Sequence, residues 1–425
     1  MTAAIFTKLF ILFVVLSFSF AMWLNWRQLR HVAAHRALVP AEFGDIITLD
    51  AHQKAADYTT DKARLSTIEE ALNLVVLIAL TLGGGLAWIF LMASATFNDA
   101  TVNSYTVGIA FIFGLFIITG VISLPFDIYR TFIVEARYGF NKTTVTTYVV
   151  DMLKGWLLAA VIGIPLLLGT FWLMEKMGTL WWLYVWLAWV SFSILMMAVY
   201  PNFIAPLFNK FSPLDDASLK TRIEALLTKC GFHAKGLFVM DGSKRSSHGN
   251  AYFSGFGRSK QIVFFDTLIT RLTPSEIEAV LAHELGHFKR KHIIKRMAVS
   301  FLVMLIVLAL LGWVIDKPWF YAGLGVDFAG APHVAVSLVL FFLVFPVFTF
   351  WITPLSSLTS RKHEFEADAY AAQQTNAADL VSALVKLYRD NASTLTPDPI
   401  YAAVYASHPP AAIRIAHLNQ LPVNT

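Results

Sequence analysis

The sequence predicts a predominantly α, polytopic membrane protein: seven transmembrane helices, with a water-facing unit built from two of the connecting segments on one side. Three observations lead there. Of the 425 residues, 57% are hydrophobic and 14% charged, and mean hydropathy is +0.61, a balance that does not suit a soluble globule. Seven apolar stretches free of Asp, Glu, Lys and Arg are each long enough to cross roughly 30 Å of hydrocarbon as a helix. Finally, Lys and Arg alternate between rich and poor along the segments that separate them.

The first stretch, Leu9–Leu24 with its flanks, follows Lys8 as a signal peptide would. Trp23 to Arg27 offer no small-residue cleavage site, so it is read as a retained span. The second, Leu72–Ala93, contains Gly83, Gly84 and Gly85, read as a place where helices approach closely. Tyr105–Phe126, Trp156–Met174, Leu180–Tyr200, Met297–Ile315 and Val334–Ile352 complete the set. Lys plus Arg number 1 before the first span, then 6, 0, 4, 1, 15 and 1 in successive loops and 5 in the tail. The positive-inside rule therefore puts the N-terminus outside, and the odd-numbered loops and the tail in the cytoplasm. The formal charge of +5 belongs to that membrane face, and no nucleic-acid partner is expected.

The chain accordingly divides into residues 1–200 (spans 1–5 with their loops), 201–296, 297–355 (spans 6 and 7) and 356–425. The second and fourth segments are expected to pack together as one cytoplasmic catalytic unit.

Cys230 is the single cysteine, so no intrachain disulfide and no thiolate metal site can form. A metal must be held by His and carboxylate. Thr273, Pro274 and Glu276 read as a helix start with a capping box. The helix carries His283-Glu284-Leu285-Gly286-His287, with two imidazoles at i and i+4 on one face. Glu284 beside them is the candidate general base, taking the proton of a water activated at the metal. The plain alternative is a helix with two surface histidines, against which stand the small and apolar neighbours Ala282, Leu285 and Gly286.

A catalytic zinc needs a third protein ligand. His292 lies among Lys289, Arg290 and Lys291 and reads as a solvated face. Glu364 and Asp368, after the seventh span, are again i and i+4. Glu364 is the candidate third ligand, and Asp368 the carboxylate that fixes a ligand histidine from behind. Glu366 reads as solvated, and His363 stays a rival for the third position.

At this point the chain resembles the type I CAAX prenyl protease family of integral-membrane zinc metallopeptidases. The likeness rests on His283–His287 and on Glu364-Phe365-Glu366-Ala367-Asp368. It extends to Tyr138–Lys142, Tyr200–Lys210, His248–Phe253 and Ser407–Pro410. The resemblance implies seven helices forming a barrel around a water-filled chamber, one zinc per chain at its cytoplasmic side, and cleavage near a prenylated C-terminus. Membrane lipid and a peptide or protein substrate, C-terminally prenylated in this family, would be the partners.

Residues 248–254 and 261–265 read as two short strands joined by a turn, a small β-hairpin. The resemblance makes the first an edge strand for the substrate, with His248 and Asn250 as substrate-binding residues. The alternative is a structural hairpin whose His248 and Asn250 cap their own turn. His408 and Arg414 are similar to family residues surrounding the scissile carbonyl, where His408 would be catalytic and Arg414 substrate-binding. Pro409 and Pro410 starting a helix capped by Ser407 is compatible with that.

Two other functions were weighed. A quality-control metalloprotease without a prenyl requirement would share the same site. A transporter would be expected to carry an ionisable residue inside a span, and none of the seven stretches has one. The Val423–Thr425 end carries no retention signal, which favours a bacterial inner membrane over the endoplasmic reticulum.

Overall fold

The computed structural model describes residues 1–44, 46–97, 104–254, 260–326 and 333–421. The expected hairpin turn at 255–259 and the chain end at 422–425 lie outside them.

Helix α1 (Ala3–His35) begins at Thr2, whose hydroxyl accepts the Ile5 N–H. At 1.5 Å per residue its 33 residues reach about 50 Å, well beyond the hydrocarbon. Helix α2 (Leu49–Leu80) is capped by Thr48 and ends at a corner, after which α3 (Gly85–Phe97) leaves at 60°. The second span is therefore a bent pair and not one straight helix. The glycines form the bend: Gly84 is left-handed at φ 74°, and a Cβ on Gly83 or Gly85 would sit 2.7 Å from the Ala79 carbonyl oxygen.

Helix α4 (Ser104–Tyr129) continues through a π turn, and α5 (Val145–Lys176) starts on a Thr144 cap. Helix α6 (Trp181–Val199) closes the first half. Counted by length and apolarity among the described residues, six helices qualify as spans, or seven with the bent pair.

The first water-facing segment holds β1 (Phe211–Pro213), α7 (Ala217–Lys229), β2 (Gly236–Met240), β3 (Ala251–Ser254), β4 (Gln261–Phe265), α8 (Asp266–Ile269) and α9 (Pro274–Lys289). The strands form a four-stranded sheet in the order β1-β2-β4-β3, with β2 and β4 parallel and the other pairs antiparallel. The expected hairpin is β3–β4, extended by two strands the sequence did not signal, and β3 lies at an edge.

Then follow α10 (His292–Val314), α11 (Pro318–Ala322), α12 (Val334–Thr349), α13 (Thr353–Gln374), α14 (Ala377–Asp390), α15 (Pro399–Tyr405) and α16 (Ala411–Gln420).

Within the membrane half α10 packs on α6, α6 on α5, α5 on α4, and α4 on α3 and α12. Between 6% and 33% of each span's apolar window is buried within the protein, so most of that apolar surface is left uncovered, as suits segments that cross a bilayer. The apolar core here gathers Phe10, Phe111, Phe171, Leu311 and Leu340. A second core joins Ile223, Phe264, Ile277 and Leu281 to Tyr370, Ala371, Leu384 and Leu418, so residues from before the sixth span and after the seventh share one interior.

Protruding helix ends tie the halves together. Arg27 near the end of α1 grips buried Asp398 through two bonds, 3.2 and 2.9 Å, and Gln28 accepts the Asp398 N–H. Asp398 also caps α15 by accepting from Ile400 and Tyr401. On α5, Asp151 takes two bonds from Arg245.

Burial pushes the Asp398 carboxyl up, but Arg27 and the two amides outweigh it and hold it below the usual aspartate range. A depressed carboxyl stabilises the fold above its unfolded pKa of about 3.9 and loses that contribution as acid protonates it. Asp398→Ala is expected to lower the melting temperature at pH 7, with about 1 kcal/mol from the lost cap alone. The difference from wild type should shrink toward pH 3 in detergent thermal-shift measurements.

Candidate metal centre

Helix α9 is fixed at its start. Thr273 accepts the Glu276 N–H, Glu276 accepts the Thr273 N–H at 2.8 Å, and Pro274 occupies the first helical position. Buried Glu276 also accepts from Ser382 and Lys386 of α14, at 2.6 and 2.8 Å. Burial raises its carboxyl, while Lys386, Ser382 and the Thr273 amide outweigh that and hold it low.

One turn before the helix ends, α9 crosses α13 at very close range. A Cβ on Gly286 would lie 2.9 Å from Ala367 Cα and 3.0 Å from its carbonyl oxygen. A glycine facing an alanine is what this approach requires, and it sets His283 and His287 against Glu364.

His283, His287 and Glu364 bring one donor atom each within 4.8 Å of one another. The two Nε2 atoms are 3.2 Å apart, and they lie 3.5 and 3.3 Å from the two Glu364 oxygens. Glu364 is buried, and its Oε2 makes no hydrogen bond among the described residues. Two imidazole nitrogens and an unsatisfied buried carboxylate oxygen converging on one point suit a divalent metal, and a set of two His and one Glu suits zinc chemistry.

Behind His283 sits a second layer. Its Nδ1 is 2.8 Å from Asp368 Oδ1, and buried Arg414 donates to both Asp368 oxygens at 2.9 and 2.5 Å. Since the carboxylate only accepts, His283 carries its proton on Nδ1 and turns the Nε2 lone pair toward the cluster. Burial opposes charge on His283, but Asp368 and Glu364 outweigh it and push its pKa up to about 9, so metal binding there displaces a proton.

Glu284 is half-buried and makes no hydrogen bond or ion pair among the described residues, which leaves its carboxylate available. His408 Nε2 lies 3.5 Å from Glu364 Oε1 with its side chain 61% exposed, on the open side of the cluster. Its Nδ1 meets the Ser407 hydroxyl, so Ser407 does not cap α16, which begins from Pro410 without a side-chain cap.

Arg414 is buried, with Nη1 3.5 Å from Glu364 Oε2 in addition to its two bonds to Asp368. His248 is not in contact with the cluster. Its ring stacks on Phe140, Nδ1 meets Asn391 and Nε2 faces Glu135 at 3.6 Å. Asn250 is exposed at the start of edge strand β3, its side chain accepting the Ala251 N–H. A cavity of about 950 Å3 runs from Phe253 on β3 to His287, walled by Tyr200, Phe288 and Met297.

One residue read as solvated is not: His292 is buried, its Nδ1 3.0 Å from His287 Nδ1 and its Nε2 2.9 Å from Glu366, whose side chain stays 31% exposed. His363 does not join the cluster: it stacks flat on His292 with centroids 3.9 Å apart.

A membrane wall of helices carrying a two-histidine, one-glutamate cluster defines an integral-membrane metallopeptidase. Residues 28–210 match the family model "CAAX prenyl protease N-terminal, five membrane helices", and residues 213–421 match "Peptidase family M48". The chain belongs to peptidase family M48 and is a membrane metalloendopeptidase.

Among curated relatives, the CAAX prenyl protease 1 homolog of Arabidopsis thaliana is 34% identical over 95% of both chains. CAAX prenyl protease 1 of Saccharomyces cerevisiae is 34% identical over 96% of this chain and 94% of its own. The Homo sapiens homolog is 27% identical over 96% and 95%. The crystal structure of S. mikatae Ste24p superposes with a TM-score of 0.90 at 33% identity, covering 97% of this chain and 99% of that one. These relatives are eukaryotic, so they lend no support to a bacterial inner membrane.

Replacing Gly286 with Val would wedge α9 from α13. Metal content measured by elemental analysis should fall well below wild type even where the protein stays folded by circular dichroism.

Proposed function

We propose that the chain hydrolyses peptide bonds near prenylated C-termini, with one zinc held by His283, His287 and Glu364 and with Glu284 as general base. The observation that carries this is the convergence of two Nε2 atoms and the unsatisfied Glu364 oxygen beside a free Glu284. When bound, zinc supplies a Lewis acid that polarises the scissile carbonyl and makes a water acidic enough to attack.

The protein's own groups do the rest. Glu284 takes the proton of the attacking water and returns it to the leaving amine. His408, on the open side, donates a hydrogen bond to the carbonyl oxygen as charge develops there. Edge strand β3 offers unpaired backbone groups to an extended peptide, with Asn250 at its start, and the cavity from Phe253 to His287 receives the adjoining side chains. Asp368 and Arg414 hold His283 in its ligating tautomer. His248, assigned here to substrate binding, borders a separate cavity of about 550 Å3 with Lys62 and Arg130.

The prenyl requirement rests on the names of the relatives and on an apolar cavity of about 1030 Å3 between α4, α5 and α6, lined by Phe116, Trp156, Leu166 and Phe192. Residues 201–296 and 356–425 form the catalytic unit, on the cytoplasmic side by the Lys and Arg asymmetry, with spans 1–5 and 6–7 as its membrane support.

Glu284→Gln should keep about one zinc per chain while turnover falls by about 10²–10⁴. A fluorogenic C-terminal peptide, farnesylated and unmodified, tests the substrate class. Cleavage of the farnesylated form alone supports the proposal, and equal cleavage of both would replace it with a broader membrane endopeptidase.

A further inference from the structure

The two ligand histidines are supported differently. His283 leans on a buried carboxylate, Asp368, whereas His287 leans on another histidine. His292 is the first residue of α10, and Lys291 before it adopts the left-handed conformation, φ 57°, ψ 34°. That turn folds the start of a membrane span back over α9, so that His292 faces His287.

The hydrogen positions follow by elimination. The Glu366 carboxylate accepts, so His292 carries its proton on Nε2, 2.9 Å away. A neutral imidazole protonated at Nε2 has its lone pair on Nδ1, which therefore accepts from His287 Nδ1–H at 3.0 Å. His287 is then left with its Nε2 lone pair facing His283 and Glu364. Stacking on His363 fixes the plane of the His292 ring, with the two planes 12° apart.

We propose that His292 and Glu366 form a positioning relay that sets the tautomer and orientation of His287, an inference that rests on His283, His287 and Glu364 being the metal ligands. Glu364 and Asp368 are already buried at the cluster. A third carboxylate placed directly behind His287 would have to be desolvated in turn, at a further cost in free energy. The neutral ring passes on the orientation and leaves the Glu366 charge where water reaches it. The relay also joins α9, α10 and α13, so a membrane span, the ligand helix and the helix bearing Glu364 share one hydrogen-bonded chain.

The test uses the full-length protein in detergent, with zinc affinity measured by chelator competition and kcat and KM measured at saturating zinc. His292→Phe keeps a ring to stack on His363 but cannot accept from His287. His292→Asn loses the ring yet can offer its amide oxygen near the Nδ1 position. The relay predicts that His292→Phe weakens zinc binding about 10–100-fold and lowers kcat more than it changes KM. His292→Asn should recover most of the loss, and Glu366→Leu should fall between wild type and His292→Phe.

A packing role alone predicts the reverse order, with Phe tolerated and Asn damaging. Wild-type zinc affinity in His292→Phe, or equal damage in Phe and Asn, would overturn the relay. If His292→Phe does not fold, Glu366→Leu at its part-exposed position decides, and unchanged affinity there overturns it too. His287→Ala separates the two levels of the argument: if that variant keeps stoichiometric zinc, the ligand assignment itself is wrong, whatever the relay variants do.

Discussion

The crossing of α9 and α13 at Gly286 and Ala367 is the contact on which the site depends. No single helix supplies the donor set: two imidazoles come from α9, and the carboxylate comes from a helix that the chain reaches only after crossing the membrane twice more. Bringing backbones this close leaves no room for a side chain between them, and the two small residues meet that condition. The shared interior of Ile277, Leu281, Tyr370, Ala371 and Leu384 then holds the pair in register.

Bringing the donors together creates an electrostatic problem, and the surrounding groups answer it. Glu364 and Asp368 are both buried, and without compensation each would cost several kcal/mol to desolvate. Arg414 lies against both, forked onto Asp368 and near Glu364, so one buried cation serves two carboxylates until a metal adds its own charge. On the other flank the neutral His292 carries orientation without charge. His408 stays exposed beside Glu364, and Glu284 keeps a carboxylate without a partner among the described residues.

Much of this was legible in the chain. The spans could be read because an uncharged apolar run of sufficient length has few fates other than the bilayer. The α9 cap and the two i, i+4 pairs could be read because each is a local regularity of one helix. What escaped depended on contacts between distant segments or on backbone outside the helical norm. His292 looked solvated because three basic residues precede it, but left-handed Lys291 turns the chain so that the basic side chains and the histidine face different ways. Glu366 gave no sign of its pairing with His292, because that partner lies on another helix. The second span looked straight because its glycines are as apolar in composition as any helix-packing site, and the 60° bend is a matter of their dihedral freedom. The fork of Arg414 onto Asp368 could not be read from its motif, because it joins two helices far apart in the chain.

The ligand assignment is tested most directly by anomalous diffraction at the zinc absorption edge from crystals of the full-length protein grown with zinc. The account predicts one strong peak bounded by His283 Nε2, His287 Nε2 and Glu364. The absence of a peak there, or a principal peak against His292 and Glu366 instead, would contradict it.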